Sequence, residues 1–365
     1  MILENLIRFS NFYGADASLV LAGGGNTSAK ENGYMYVKGS GTALATIKAD
    51  GFVKIDLEKL GRIFTAEYSE NDSEREAQVL ADLMASRAAG EESKRPSVET
   101  TLHALFEQTY VLHLHPALVN GLSCSQGGFE LAKELMPADF IWVDSCKPGY
   151  ILAMLCCEKM RAFKEEKGRA ADVILLQNHG IFIADNTVEG LDKKLKSVMA
   201  ALESRLVTQP DLNGVAPDKN AEKIGNALAA AVNGTWKFIG SPSAMQYCID
   251  KCAASDLLRP FTPDHIVYCK AYPLWLSADA DIAASVKEYS EKYGYAPRIV
   301  IAEKTGIFCV GTDEKQAKTA KMLFEDALKI AVYTKSFGGA LHMTDEMTDF
   351  IVNWEVEAYR SAQNK

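Results

Sequence analysis

The chain has 365 residues, 48% of them hydrophobic and 24% charged, with a net charge of −9 and a pI near 5.3. That is room for one large or two ordinary globular domains, and the acidic balance argues against a general nucleic-acid surface, which needs a basic stripe. No stretch approaches the ~20 apolar residues of a membrane span, and eight scattered cysteines without zinc-knuckle spacing fit reduced thiols in a cytoplasmic protein.

The N-terminal MILENLIRFSNFYG carries Glu4 and Arg8 within its apolar pattern and reads as an amphipathic helix rather than a signal peptide. LVLAGGGNTSAK, residues 19–30, places three glycines after an apolar run. A dinucleotide or P-loop site would need a helix to start there. Instead Asn32-Gly33 signals a hairpin turn and YMYV a strand, so the nucleotide reading fails on context. GFVKIDLEKL reads as strand into turn or helix, and residues 74–88 as helix. SVETTLHALFEQTY puts Leu102, Leu105 and Phe106 on one helical face, YVLHLHPALV is an apolar strand, and DVILLQNHGIFIAD is strand, turn, strand. A long amphipathic helix follows from Thr187.

Strands and helices mixed in this way indicate a layered α/β domain over residues 1–206. Residues 207–220, with two prolines and several polar residues, read as a linker. Residues 221–365 form an α/β extension whose last helices are KQAKTAKMLFEDALKIAVYTKSF and TDFIVNWEVEAYRSAQ. The extension echoes the first part. NGYMYVKGS (32–40) has a partner in NGTWKFIGS (233–241), and DVILLQNHGIFIAD (172–185) in RIVIAEKTGIFCVG (298–311). If it is a degenerate copy, His179 has become Thr305.

The chemistry concentrates in a few of the six histidines. His113 and His115, two apart on a strand, share a face about 7 Å apart along the chain. His179 sits in a turn where Gly180 gives the backbone room. Three neutral histidines with an open position describe a catalytic zinc site, though histidines in an apolar strand also serve as core residues. Glu99 begins a helix, where the dipole alone favours an acid; it also suits a ligand or general base. His103, one helical turn on, reads as a core residue supporting the site. Gly25, Asn26, Thr27, Ser40 and Gly41 can form a nest of N–H and hydroxyl donors, with Ser97 at a helix start adding another. Such a cradle suits a single phosphate.

In this order Gly-Gly-Asn-Thr-Ser, Lys-Gly-Ser-Gly, Pro-Ser-Val-Glu, His-Leu-His-Pro and Asn-His-Gly resemble the class II aldolase/adducin family over about residues 1–206. PSVETTLHAL and FTPDHIVYCKAYPLWL more closely resemble a branch of rhamnulose-1-phosphate aldolases fused to a short-chain dehydrogenase. This chain is expected to correspond to the aldolase portion with its extension, since no Gly-x-Gly-x-x-Gly block follows.

The resemblance implies a three-layer α/β/α fold with a mixed, mostly antiparallel central sheet. It implies Zn²⁺, or another divalent ion, on His113, His115 and His179, with Glu99 a ligand at rest and the base in turnover. Gly25, Asn26, Thr27, Ser40, Gly41 and Ser97 would hold the phosphate. The implied reaction is reversible cleavage of a rhamnulose- or fuculose-1-phosphate-like ketose to dihydroxyacetone phosphate and an aldehyde, through an enediolate. The implied partners are a small-molecule sugar phosphate and other copies of the chain in a homo-oligomer, with no nucleic acid and no membrane. The same metal site would also serve a sugar-phosphate dehydratase or epimerase, although the epimerases tend to carry aspartate at the Glu99 position. An adducin-like binding module would typically lack the ligands. Two departures stand out. Val98 replaces a serine often seen before the glutamate, and the tyrosine that protonates the aldehyde oxygen in relatives has no clear match, Asp144 and Tyr150 being weak candidates.

Overall fold

The computed structural model describes residues 2–354. They form two compact units, the first of residues 2–123 and 132–204 with Trp354, the second of residues 124–131 and 205–353.

The first unit is built on seven strands: β1 Asn26–Glu31, β2 Tyr34–Lys38, β3 Phe52–Asp56, β4 Tyr110–Leu114, β5 Ile141–Val143, β6 Val173–Leu176 and β7 Gly180–Asp185. Their order is β3-β2-β1-β4-β7-β6-β5. Every neighbouring pair is antiparallel except β5 and β6. Asn32 and Gly33 turn the β1–β2 hairpin with φ of 52° and 79°, the conformation that makes Asn-Gly a hairpin signal.

Alternation along β1 shows the layers. Thr27 faces one way, where its hydroxyl meets Ser10 Oγ of helix Ile2–Gly14 at 2.7 Å. Ser28 faces the other way, 2.8 Å from His103 Nδ1 of helix Thr100–Leu105. Helices therefore cover both faces, giving a three-layer α/β/α arrangement. Val111, Ile174, Leu176, Phe182 and Ala184 bury one face against Leu102, Phe106 and the apolar stripe of helix Tyr150–Lys167. Helix Val188–Glu203 packs on β4 and β7. The helix expected from residue 97 is shorter than its pattern suggests. It runs only from Thr100 to Leu105, and Phe106 turns to extended backbone (ψ 138°) to lead into β4 while keeping its ring buried.

The second unit carries β8 Thr235–Ile239, β9 Leu274–Leu276, β10 Ile299–Ala302 and β11 Gly306–Gly311, in the order β8-β11-β10-β9. Helices Lys219–Val232 and Ile282–Tyr293 pack on it around Leu228, Val286, Val300 and Phe308. Residues 206–218 contain no helix or strand. Asn233-Gly234 does not turn a hairpin. Asn233, at φ 51°, ends the helix Lys219–Val232 in the left-handed conformation. Both Asn-Gly pairs answer the same local demand for positive φ, yet β2 lies between β1 and β3 while β8 pairs with β11. Of the helix expected at 348–363, Asp345–Asn353 is helical, and residues from 355 onward lie outside the described residues.

Phe182 stacks on Phe106 at a centroid distance of 5.8 Å and on His113 at 4.0 Å. Phe182→Ala is expected to cost about 3–5 kcal/mol, read as a lowered urea midpoint with an unchanged m-value.

Candidate metal centre and its cradle

Register assembles the site from three distant stretches of chain. Asn26 of β1 stands opposite His113 of β4, and His113 opposite Phe182 of β7. His113 is fully buried, its ring nearly parallel to Phe182 at 13°. Its Nδ1 lies 3.0 Å from the Ile181 carbonyl. A carbonyl only accepts, so Nδ1 carries the proton and Nε2 presents a lone pair. His115 follows just past the end of β4, its backbone N–H donating to Leu19 O at 3.1 Å. Its Nε2 lies 2.9 Å from His113 Nε2. His179 occupies the β6–β7 turn after Asn178, which sits at φ 58°. Gly180 is required there because a Cβ would meet Leu114 O at 2.4 Å and His115 Cδ2 at 2.8 Å.

Glu99 completes the group. Its Oε1 lies 3.1 Å from His113 Nε2 and 3.2 Å from His179 Nε2. Asn26 Nδ2 donates to its Oε2 and, at 3.1 Å, to Ser97 Oγ. The four ligand atoms all lie within 4.8 Å of one another. Burial pushes the Glu99 carboxyl up, but the facing His113 and His179 outweigh it and hold it well below the usual carboxylate range. Burial pushes His113 down to about 4, against the pull of Glu99, and drives His103 down as well.

This donor set fits a cation. His113 Nε2 and Glu99 Oε1 face each other across about 3 Å, a contact that holds only with a proton or a metal cation between the two lone pairs. Three imidazoles and a carboxylate are zinc ligands. Donors held ~2.0–2.1 Å from a tetrahedral ion stand about 3.3 Å apart, close to the spacing seen. The Ile181 carbonyl fixes the His113 tautomer as an outer partner of a metal ligand does.

The expected cradle residues divide. Asn26 and Ser97 join the Glu99 cluster. Gly25, at φ 67°, belongs to the glycine loop that leads into β1, and Gly41, at φ 81°, to the loop after β2. The latter is brought beside the Ser97 turn by a bridge between Gly39 and Pro96. The Ser40 and Ser97 amides donate to Arg95 O and Lys38 O at 2.8 and 3.1 Å, so these N–H groups build the cradle instead of lining it. Thr27 is a correction. Alternation along β1 turns it away from Asn26 and onto Ser10, so its side chain does not face the cluster. His103 supports the site as expected, through Ser28 and an edge contact with Phe182. Asp144 is held by Trp142 Nε1 at 3.1 Å, and Tyr150 packs edge-on against Tyr68.

Lys38 carries a role that its position did not suggest. Its buried ammonium contacts the carbonyls of Gly23 and Gly25 at 2.7 and 2.8 Å, with Gly24 O at 3.5 Å. Carbonyls drawn onto an ammonium turn their peptide N–H groups the other way, the polarity a nest for an anion needs. The only signal in the sequence was a lysine ending a strand just before Gly-Ser-Gly.

Residues 6–204 match the family model described as the class II aldolase and adducin N-terminal domain. The Bacillus subtilis (strain 168) protein described as uncharacterized oxidoreductase YuxG is 22% identical over 409 residues, covering 98% of this chain and 58% of that protein. The chain therefore spans a little over half the length of that relative. Among solved structures, the N-terminal class II aldolase domain of a conserved Thermoplasma acidophilum protein is 26% identical with a TM-score of 0.47, covering 56% of this chain and 93% of that one. The L-fuculose-1-phosphate aldolase of Thermus thermophilus is 17% identical with a TM-score of 0.34, covering 55% and 90%.

The electrostatics make two outcomes testable. A folded His113 at about 4, against ~6.5 in the unfolded chain, means that the unfolded state binds more protons between those values. Stability is then full above about pH 6.5 and falls as pH drops toward 4, by about 1.4 kcal/mol per pH unit for each histidine so excluded. Urea unfolding of chelator-treated protein at pH 7, 6 and 5 reads this slope, and a flat profile contradicts it. Lys38→Met keeps bulk but leaves the glycine carbonyls without their cation. It should cost about 1–3 kcal/mol and weaken binding of inorganic phosphate at least tenfold, with the divalent metal content unchanged by elemental analysis.

Proposed function

The chain belongs to the class II aldolase and adducin family, and from that premise we propose that it is a zinc-dependent aldolase acting reversibly on a ketose 1-phosphate of the rhamnulose or fuculose type. The products are dihydroxyacetone phosphate and an aldehyde. The observation that carries this reading is the Glu99 carboxylate lying 3.1 and 3.2 Å from His113 and His179 Nε2, with His115 completing the set.

When bound, the ion supplies Lewis acidity toward the substrate carbonyl. The chain's own residues do the rest. Glu99, kept ionised, takes the proton from the carbon beside the carbonyl in the synthesis direction and returns it after cleavage. Asn26 steadies its Oε2, leaving Oε1 toward the imidazoles. Asn26 Oδ1 is buried with no partner among the described residues and is available to accept a substrate hydroxyl. Gly25, Ser40, Gly41 and Ser97 take the phosphate, with the Lys38 charge behind the glycine loop. A kept glutamate and three kept histidines favour this reading over a non-catalytic module.

We place the working enzyme in the cytoplasm as a homo-oligomer. All eight cysteines are free thiols, which supports a reducing compartment. No helix among the described residues is long and apolar enough to cross a membrane.

The test uses the half-reaction, which needs no knowledge of the aldehyde. In deuterated water the zinc-loaded protein should exchange one C3 hydrogen of dihydroxyacetone phosphate stereospecifically, followed by NMR. Glu99→Ala should slow exchange by at least ~100-fold. Absence of exchange in metal-loaded wild type removes the aldolase reading.

A further inference from the structure

The second unit repeats the half of the first unit that carries the histidines, hydrogen bond by hydrogen bond. β8-β11-β10-β9 has the same pairings as β4-β7-β6-β5: antiparallel, antiparallel, parallel. The registers coincide as well. His113 opposes Phe182 as Phe238 opposes Phe308, and Leu176 opposes Gly180 as Ala302 opposes Gly306. Gln177 N donates to Val143 O at 2.9 Å, and Glu303 N to Leu276 O at 2.9 Å. Asn178 N bonds Ser123 O, and Lys304 N bonds Cys248 O. The side chains of Gln177 and Glu303 each accept from the amide two residues past the end of the neighbouring strand, Ser145 N and Ala278 N. Even the strained turn is kept, with φ of 58° at Asn178 and 54° at Lys304.

By this register His113, His115 and His179 become Phe238, Gly240 and Thr305. The Phe238 ring fills the room left by the lost ligands. A Cβ on Gly240 or on Gly306 would lie 2.4 or 2.5 Å from that ring. The metal hole is thus closed by an apolar plug. The corner beside it is still open. A cleft of about 370 Å³ lies between helix Lys219–Val232, the β10–β11 turn and the residues after β9. Helix Thr100–Leu105 and the His179 turn define the equivalent corner of the first unit.

The cleft is lined on its polar side by Asn220, Lys223, Ser277, Glu303, Lys304 and Thr305. Two ammonium groups against one carboxylate leave one net positive charge. Glu303 accepts from Ala278 N at 3.1 Å and lies 3.5 Å from Lys304 Nζ, so that pair offsets itself and the net positive charge of the cleft rests on Lys223. Asn220 and Lys223 stand in the first turns of a 14-residue helix whose N-terminus is capped by Asp218, which accepts from Ala221 N at 2.8 Å, so the positive charge of the cleft comes from its lysines and not from the helix end. The volume suits a compact polar metabolite rather than a cofactor. We propose that the second unit is a metal-free copy of the catalytic half-sheet that has kept its cleft as a second, non-catalytic site for a small polyhydroxylated phosphomonoester. This holds whether or not the first unit is an aldolase.

The test is calorimetric titration of the zinc-loaded full chain with glycerol 3-phosphate, in wild type, Lys223→Glu/Lys304→Glu, and Ser97→Ala/Lys38→Met. Wild type should show two sites per chain and bind one zinc. The lysine reversals should weaken one site at least tenfold and leave zinc content, Tm and the C3 exchange rate unchanged. The Ser97/Lys38 variant should weaken the other. In the ¹⁵N-labelled protein the Lys304 and Thr305 amides should shift on titration, and chelation should not abolish that shift. Binding unaltered by the lysine reversals, Lys304 and Thr305 amides that do not shift, or a second zinc held in the Phe238 region each overturns the proposal.

Discussion

The arrangement turns on four lone-pair donors made to face one point. Left alone, a carboxylate oxygen and an imidazole nitrogen presented lone pair to lone pair would drift apart or take up a proton. They are held by anchors that each point the other way: the Ile181 carbonyl on His113 Nδ1, the Leu19 carbonyl on the His115 backbone, and Asn26 on Glu99 Oε2. Asn26 and the three histidines sit on β1, β4 and β7 or at their ends, strands that are far apart in sequence and adjacent in the sheet, while Glu99 comes from the start of helix Thr100–Leu105. Antiparallel register is therefore the means by which residues near 26, 113 and 179 meet. A one-residue slip of β4 would turn His113 to the opposite face of the sheet.

Electrostatics continue the same design outward. The chain is acidic overall, yet the buried Lys38 ammonium rests on the glycine carbonyls beside the cluster. Charge placed in a low-dielectric setting is screened far less than surface charge. One cation there can outweigh many exposed carboxylates for an anion entering the site. Burial that keeps His113 neutral and neighbours that keep Glu99 ionised act in the same sense, since both leave the donors in the protonation states a cation requires.

What was legible in the sequence was whatever depends on short spacing. His113-Leu114-His115 shares a face because strands repeat every two residues, and Asn178-His179-Gly180 announces a turn by its composition. The Asn32-Gly33 hairpin follows from φ alone. Thr27 was misplaced because three consecutive polar residues, Asn26 to Ser28, show no apolar alternation from which to read the parity of the strand. Lys38 was passed over because a lysine at a strand end ordinarily reaches solvent, and only the fold brings the glycine loop against it. The helix after Glu99 was overextended because Phe106 fits the helical stripe, while its buried place is met from extended backbone. Asn233-Gly234 matched Asn32-Gly33 in a local need for positive φ, and strand order is not a local property.

The two half-sheets give a comparison within one chain. In one, an imidazole lies flat on the phenylalanine of the next strand, His113 on Phe182 at 4.0 Å; in the other, Phe238 meets Phe308 at 5.3 Å and a tilted angle. The frame accepts either ring. An apolar ring in a buried slot needs no hydrogen-bond partner, whereas an imidazole there must be satisfied at both nitrogens or costs about 1–3 kcal/mol for each that is not. The turn with its positive φ and the strand register stand in the half-sheet that lacks the three clustered histidines as in the one that has them, so neither depends on a metal. The histidine cluster is a burden carried by a frame that folds without it. Such a burden at matched geometry has its physical explanation in chemistry, which is why the site, more than the fold that both halves share, bears the functional argument.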